Sequence, residues 1–191
     1  VISEHCANLD AVVMGPGMTT HPENLKLLGE LVADLPCPLV LDAGALVAEL
    51  GGFLKRRPRE LSPVVLTPHI GELRRLVGEF DGTTIDEVLK EKAQEWGAVI
   101  VLKGSVTRLT NGEELVDALA GNPVLARGGS GDMLAGMLGA RLSIPGADAF
   151  VAAQEAVVWH GAAAECLARE RGEVAVSASE LLDYLGVALR S

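Results

Sequence analysis

A buried strand and the turn that follows it can be read in one stretch, Pro38-Leu39-Val40-Leu41-Asp42-Ala43-Gly44. Its apolar residues are consecutive and do not alternate with polar ones, which is typical of a strand covered on both faces in a parallel sheet. Three further apolar runs also end in glycine, proline or a polar residue: Ala11–Met14 before Gly15-Pro16-Gly17, Val64–Leu66 before Thr67-Pro68-His69, and Val99–Leu102 before Lys103-Gly104. The sequence therefore predicts four parallel strands.

Segments with helical periodicity lie between these strands. Apolar residues recur at helical spacing after His21-Pro22-Glu23 and again after Thr83-Thr84: Leu25, Leu28, Leu31 and Val32 in the first case, Ile85, Val88, Leu89 and Ala93 in the second. Strands that alternate with helices form right-handed βαβ units. We therefore predict an α/β protein, a three-layer α/β/α fold with a mostly parallel central sheet.

The second half of the chain predicts a hairpin and then helices. Asn111-Gly112 is a strong turn signal between residues 106–109 and 113–116. Three helices are expected after it, over 132–142, 147–171 and 179–189, the last capped by Ser177 or Ser179.

Composition limits the classes of protein to which the chain can belong. Its 191 residues fit one domain, over 1–191, and 49% hydrophobic residues argue against disorder. The net charge of -10 argues against a nucleic-acid partner, which would require a basic footprint. No apolar run approaches the roughly 20 residues that span a membrane. Three distant cysteines, Cys6, Cys37 and Cys166, favour a reducing, cytoplasmic location and show no metal-ligand spacing.

The densest chemical signal is a glycine-rich loop that enters a helix, Arg127-Gly128-Gly129-Ser130-Gly131-Asp132. Successive amides at a helix N-terminus can hold an anion, so the sequence predicts an anion hole formed by Gly128, Gly129, Ser130 and Gly131. Such a hole suits a phosphoryl group in transfer. Asp132 could take a proton from a substrate hydroxyl there, or could be only an acid favoured by the helix dipole. The spacing matches neither the Walker nor the Rossmann pattern.

Other polar residues should lie near this loop, because ligands of open parallel sheets bind beyond the carboxyl ends of the strands. Lys103 is a candidate phosphate or nucleotide ligand, with a solvated lysine as the alternative. His69 could orient a substrate or be structural. We assign His160 to helix packing, and the basic run over 56–59 to a solvated loop.

Together these motifs resemble the ADP- or ATP-dependent NAD(P)H-hydrate dehydratases of the ribokinase-like superfamily. The resemblance runs in family order over nearly the whole chain, through five segments: residues 15–17, 41–46, 66–72, 101–104 with Thr107, and 121–136. Ile70 replaces the proline, and Arg127 the threonine, that are common in the family. The family domain also opens with a further glycine-rich segment before the position that matches Val1. The chain is therefore expected to be N-terminally incomplete relative to the family.

The resemblance implies a repair reaction in which the ring hydroxyl of a hydrated nicotinamide is phosphorylated and phosphate then leaves. It implies ADP or ATP as co-substrate and Mg²⁺ with the nucleotide, and we expect a homo-oligomer. Asp132 matches the catalytic acid at the substrate hydroxyl, and Gly17 and His69 match hydrate contacts. The nucleotide contacts correspond to Lys103, Gly104, Ser105, Val106, Thr107 and Gly131.

Two alternatives share the anion hole. One is a ribokinase-like kinase for a sugar, vitamin or pyrimidine alcohol; the other is a truncated nucleotide-binding relative without catalysis. Thr67-Pro68-His69 and Asp42-Ala43-Gly44 favour the dehydratase over the kinase.

Overall fold

A computed structural model describes residues 8–190 as a six-stranded sheet with helices on both faces. The strands lie in chain order across the sheet. β1 to β4 are parallel, and β5 and β6 are antiparallel additions to β4, so the predicted mostly parallel sheet is confirmed. The strands are β1 Val12–Met14, β2 Leu39–Leu41, β3 Val64–Leu66, β4 Ala98–Leu102, β5 Thr107–Thr110 and β6 Leu115–Ala118. Val1 and Cys6, on which two expectations rest, lie outside the described residues.

The helices of the described residues follow the predicted alternation with strands. They are α1 Pro22–Asp34, α2 Leu50–Arg56, α3 Ile70–Val77, α4 Ile85–Trp96, α5 Ser130–Leu142, α6 Ala149–Arg171 and α7 Leu181–Ala188. Short 3₁₀ turns cover Ala43–Ala45, Gly82–Thr84, Pro123–Ala126 and Ala178–Glu180. Between residues 8 and 190, every helix is too short or too polar to cross a bilayer.

Consecutive strand residues pack into different layers, which explains why the strands carry uninterrupted apolar runs. Leu39 and Leu41 of β2 join one buried cluster, with residues of α1, α2 and α4. Val40, between them, joins a second cluster on the other face, with residues of α5 and α6. Because each face is covered by helices, the predicted three-layer arrangement is confirmed.

The two long C-terminal helices differ from the prediction at their starts. α5 begins at Ser130, two residues before the predicted start, so part of the glycine-rich loop is the first turn of the helix. α6 begins at Ala149 and not at 147, because the side chain of Asp148 caps it by accepting from the amides of Phe150 and Val151. The closing helix starts as a 3₁₀ turn, which Ser177 caps.

The hairpin is confirmed, but its loop is longer than predicted. β6 begins at Leu115, and not at 113, because Asn111 Oδ1 accepts from the amides of Glu113 and Glu114 and so folds these two residues into the loop. The second strand consequently pairs Thr110 with Leu115.

The assignment of residues 56–59 to a solvated loop is wrong at Arg56, which ends α2, and at Arg57, which is buried, whereas Pro58 and Arg59 are exposed. Arg57 is 7% exposed, and its guanidinium donates to the carbonyls of Val32, Cys37 and Ser62. Arg59 donates to the carbonyls of Gln94 and Glu95 at the end of α4. Arg57 therefore satisfies buried carbonyls, whereas the acceptors of Arg59 are exposed and the carbonyl of Gln94 also accepts from the amide of Gly97.

Candidate functional site

The turns that follow β1 to β4 lie side by side at one edge of the sheet. The amide of Asp42 donates to the carbonyl of Met14 at 3.0 Å, and the amide of Thr67 donates to Leu41 at 3.1 Å. His69 and Lys103 form a further parallel bridge beyond the named strands. The predicted convergence of strand ends is therefore present, since each turn is hydrogen-bonded to its neighbour.

Lys103 is held by a buried carboxylate. Its Nζ lies 2.6 Å from Oδ1 of Asp42, whose side chain is 2% exposed, whereas that of Lys103 is 23% exposed. A Cβ atom at position 131 would lie 3.3 Å from this Nζ and 3.7 Å from Oδ2 of Asp42. The ammonium group thus lies against the glycine-rich loop, and the alternative of a fully solvated lysine does not fit.

The glycine-rich loop presents amides that are not used by the protein. Gly129 has a φ of 90°, a conformation that favours glycine, and directly precedes α5. Within the described residues, the amides of Gly128, Gly129, Gly131 and Asp132 donate no hydrogen bond to the protein. The amide of Ser130 is different, because it donates to the carbonyl of Arg127 at 3.2 Å. Of the predicted anion hole, Ser130 therefore has no amide to offer in this state, and the Asp132 amide, which the sequence did not suggest, is available.

Asp132 combines exposure with a favourable position in the first turn of α5. Its carboxylate has no hydrogen bond or ion pair within residues 8–190. The positive end of a helix dipole favours an ionised carboxylate. The geometry is therefore that of an acceptor available to a ligand hydroxyl.

His69 caps α3. Its Nδ1 accepts from the amides of Gly71 and Glu72 at 3.0 and 3.1 Å, and its own amide donates to Oε2 of Glu72 at 2.8 Å. Nδ1 therefore acts as an acceptor within the protein, and Nε2, which lies 3.6 Å from Oε1 of Glu72, is the ring nitrogen that a ligand could approach. The structural interpretation is supported, and the predicted hydrate contact stays a prediction that must involve Nε2.

Two further predicted contacts flank these groups. Gly17 lines a cavity of about 390 Å³ between the end of β1 and α1, together with Met14, Met18, Asn24 and Leu28. Residues 104–106 are exposed in the turn between β4 and β5, and Thr107 begins β5. Both groups follow strands at the edge that carries Lys103. Their substrate and nucleotide roles stay predictions.

His160 lies in α6, beneath the start of α5. It is 5% exposed, and its Nε2 is 3.4 Å from Oγ of Ser130, which is 2% exposed. Burial lowers the pKa of His160 to about 4, although a hydrogen bond to the Ser130 backbone opposes the shift. The sequence assigned His160 to packing. The contact with the loop had no local signal, because 30 residues separate the partners.

Burial of His160 predicts a pH-dependent stability. The unfolded pKa is about 6.5, and the folded pKa is about 4. Between these pH values the unfolded chain binds more protons than the folded protein, so the free energy of unfolding increases with pH. The contribution of neutral His160 is therefore lost as the pH falls, and it amounts to at most about 3 kcal/mol. We expect His160→Gln to remove this contribution, and urea unfolding of both proteins at about pH 5 and about pH 7.5 measures it. Equal pH slopes in the two proteins would show that folded His160 protonates normally.

Arg127 attaches the loop to the end of α6. Its guanidinium donates to the carbonyls of Glu173 and Val174, at 2.5 and 2.8 Å. The attachment lies at the opposite end of the loop from Asp132.

The sequence matches proteins of one family. The family model described as NAD(P)H-hydrate dehydratase matches residues 2–186. A bifunctional NAD(P)H-hydrate repair enzyme of Moorella thermoacetica is 37% identical over 98% of the chain. The chain spans only 36% of that protein's length. The ADP-dependent (S)-NAD(P)H-hydrate dehydratase of Bacillus subtilis is 36% identical over 92% of the chain and 62% of its own length.

A solved structure supports the same likeness. The ADP/ATP-dependent NAD(P)H-hydrate dehydratase of B. subtilis, co-crystallised with ATP and Mg²⁺, superposes with a TM-score of 0.81 and 33% identity. The match covers 98% of this chain and 68% of that one. A ribokinase of Thermotoga maritima, at 14% identity and a TM-score of 0.63, shares the fold.

Proposed function

Because the chain belongs to the NAD(P)H-hydrate dehydratase family, we propose that it acts in the dehydration of NAD(P)H hydrate to NAD(P)H with ADP or ATP as co-substrate. The observation that carries this proposal is the carboxylate of Asp132 beside the amides of Gly128, Gly129 and Gly131, none of which has a hydrogen-bond partner within residues 8–190. A base next to an anion hole is the arrangement that phosphorylation of a hydroxyl requires.

The residues divide the chemistry between them. Asp132 accepts the proton of the ring hydroxyl as that oxygen attacks the terminal phosphoryl group, and AMP leaves when ADP is the donor. The loop amides stabilise the negative charge on the phosphoryl oxygens. The ring C–O bond then breaks, and phosphate leaves with that oxygen. Loss of a ring proton restores the double bond. The sum is hydrate plus ADP giving NAD(P)H, AMP and phosphate.

Mg²⁺ fits this site as a companion of the nucleotide. The described residues contain no cluster of three or more His, Cys, Asp or Glu side chains that could hold a metal by themselves. Mg²⁺ usually binds through phosphates and water with only one or two carboxylates. Oδ2 of Asp42 has no hydrogen bond from the described residues and lies next to Gly131, so it is the oxygen placed to support such an ion. The ion would neutralise phosphate charge.

The test is turnover of NADH hydrate by the protein in its full natural length. We expect release of AMP and phosphate from ADP only when the hydrate is present, with recovery of NADH absorbance. Release that depends instead on a sugar, vitamin or pyrimidine alcohol would support the kinase. ADP binding without turnover of any of these would support the non-catalytic relative. We also propose that the protein is a cytoplasmic homo-oligomer and that it binds neither nucleic acid nor membrane. Light scattering measures the oligomeric state.

Lys103 should contribute strongly to nucleotide affinity. Charge-assisted hydrogen bonds are stronger than neutral ones, so Lys103→Met should weaken ADP binding about 10- to 100-fold. Calorimetric titration with ADP measures the change. Lys26→Met is the matched control, because Lys26 makes only an exposed ion pair with Glu30 at 3.9 Å.

A buried Asp42 without its partner could disturb the fold of the Lys103 variant. The double variant Asp42→Asn/Lys103→Met removes both charges and should bind ADP at least as weakly as Lys103→Met. Wild-type affinity in either variant would remove Lys103 from the nucleotide site.

A further inference from the structure

One turn of α6 contacts both ends of the segment that carries the glycine-rich loop. At its beginning, Asn122 Nδ2 donates to the carbonyl of Ala164 at 2.9 Å. Gly161 packs so closely on this segment that a Cβ atom there would lie 2.6 Å from a backbone carbon of Ala120. At its end, His160 contacts Ser130. Helix α6 therefore supports this segment at both ends.

His160 is the polar side chain of this turn of α6 that contacts the loop at Ser130, close to Asp132. Ser130 lies two residues before Asp132 and directly between Gly129 and Gly131, whose amides donate to no group in the described part of the chain. A rotation of the Ser130 peptide changes the direction of the neighbouring amides. A hydrogen bond on its side chain restrains that rotation, and the N···O separation of 3.4 Å leaves room for it to shorten when a ligand binds.

We propose that His160 is a positioning residue for phosphoryl transfer, which acts through Ser130 to aim the loop amides and Asp132 at the transferring group. The chemical part of this inference rests on the proposed function. The contact between His160 and Ser130, in contrast, is a property of the loop and does not depend on the reaction. His160 touches no reacting atom. Its neutral imidazole suits the role, because one ring nitrogen can donate while the other accepts.

The prediction concerns turnover more than binding. Loss of one such hydrogen bond misaligns groups that act in the transition state, so His160→Leu and Ser130→Ala should each lower kcat about tenfold. The KM for ADP should change less than about threefold, because ground-state binding is spread over other contacts. The double variant should resemble the single ones, since both changes remove the same contact. His160→Gln, whose amide reaches a similar position, should recover most of the activity.

Trp159→Phe provides the matched control. Trp159 neighbours His160 on α6, but its Nε1 donates to the carbonyl of Leu185 at 2.8 Å and so points at α7. This variant also loses one hydrogen bond of α6, and it should retain wild-type kcat. An equal loss in Trp159→Phe would mean that any weakening of α6 slows the enzyme, which overturns the specific role. Multiplicative losses in the double variant, or no recovery by His160→Gln, also overturn it.

A second readout separates this proposal from the proposed function. Addition of ADP should shift the backbone amide resonances of Gly131 and Asp132 in the wild type, and His160→Leu should shift them less while remaining folded. Absence of hydrate turnover in the wild type refutes the proposed function without affecting this measurement. Identical shifts in the two proteins overturn the positioning role, whatever the activity.

Discussion

Asp132→Asn is expected to lower NADH-hydrate-dependent turnover about 10²- to 10⁴-fold, the usual contribution of a general base. In barrier terms this is about 3–5 kcal/mol. Asparagine keeps the shape and the helix position but cannot accept the hydroxyl proton. The ADP affinity should change little, because the free amides and Lys103 remain. AMP release and ADP titration on the same protein measure the two effects.

Asp183→Asn is the control for the helix dipole. Asp183 is also an exposed acid in the first turn of a helix, α7, so its loss costs only the dipole interaction of about 0.3–1 kcal/mol in stability. Turnover should be unaffected by this change. Near-normal turnover in Asp132→Asn would reduce Asp132 to an acid of the same kind. Loss of ADP binding together with turnover would show that the loop itself had been damaged.

The sheet could be predicted from the sequence because its signal is local. Each parallel strand is covered on both faces, so Leu39, Val40 and Leu41 must all be apolar whichever layer each enters. The turn residues after each strand then share an edge for topological reasons alone. This placed Lys103 and Asp42 at the same edge of the sheet without any knowledge of side-chain packing.

The partners of these residues could not be predicted, because their contacts join distant parts of the chain. Lys103 and Asp42 are 61 residues apart, and no sequence pattern around either residue indicates that they pair. The same holds for Arg57, whose three acceptors include the carbonyl of Val32, 25 residues away. A basic run is usually solvated, and only the fold shows that three carbonyls surround this guanidinium.

The predicted helix bounds were wrong, or absent, where weak helix formers occur at the start of a helix or within it. α5 starts at Ser130-Gly131, and glycine costs up to about 1 kcal/mol in a helix, so propensity placed the start at Asp132. No prediction was made for α2, which contains Gly51 and Gly52 in seven residues. There Gly51 packs against the ring of Trp96, where a Cβ atom would lie 2.9 Å from the indole nitrogen. At Gly51, tertiary packing therefore overrides propensity.

Gly15→Ala is expected to destabilise the fold by about 4 kcal/mol or more, among the largest effects of single substitutions. Gly15 has a φ of 122°, and a Cβ atom there would lie 1.6 Å from the carbonyl oxygen of Asp42. That oxygen belongs to backbone, so a side-chain rotation cannot relieve the clash. The strand ends must separate, although the amide of Asp42 donates to Met14 across this gap. The free energy of unfolding in urea measures the cost.

Gly146→Ala isolates the clash from the strain of a left-handed backbone. Gly146 has a φ of 78° and no atom within 4 Å of its Cβ position, so this change should cost only about 1–2 kcal/mol. Since Asp42 carries the carboxylate that holds Lys103, the Gly15 variant should also lose ADP affinity under conditions where it remains folded. Equal destabilisation by the two substitutions would mean that the turns after β1 and β2 can separate freely, and the close strand edge that brings Asp42 to Lys103 would not be required for the fold.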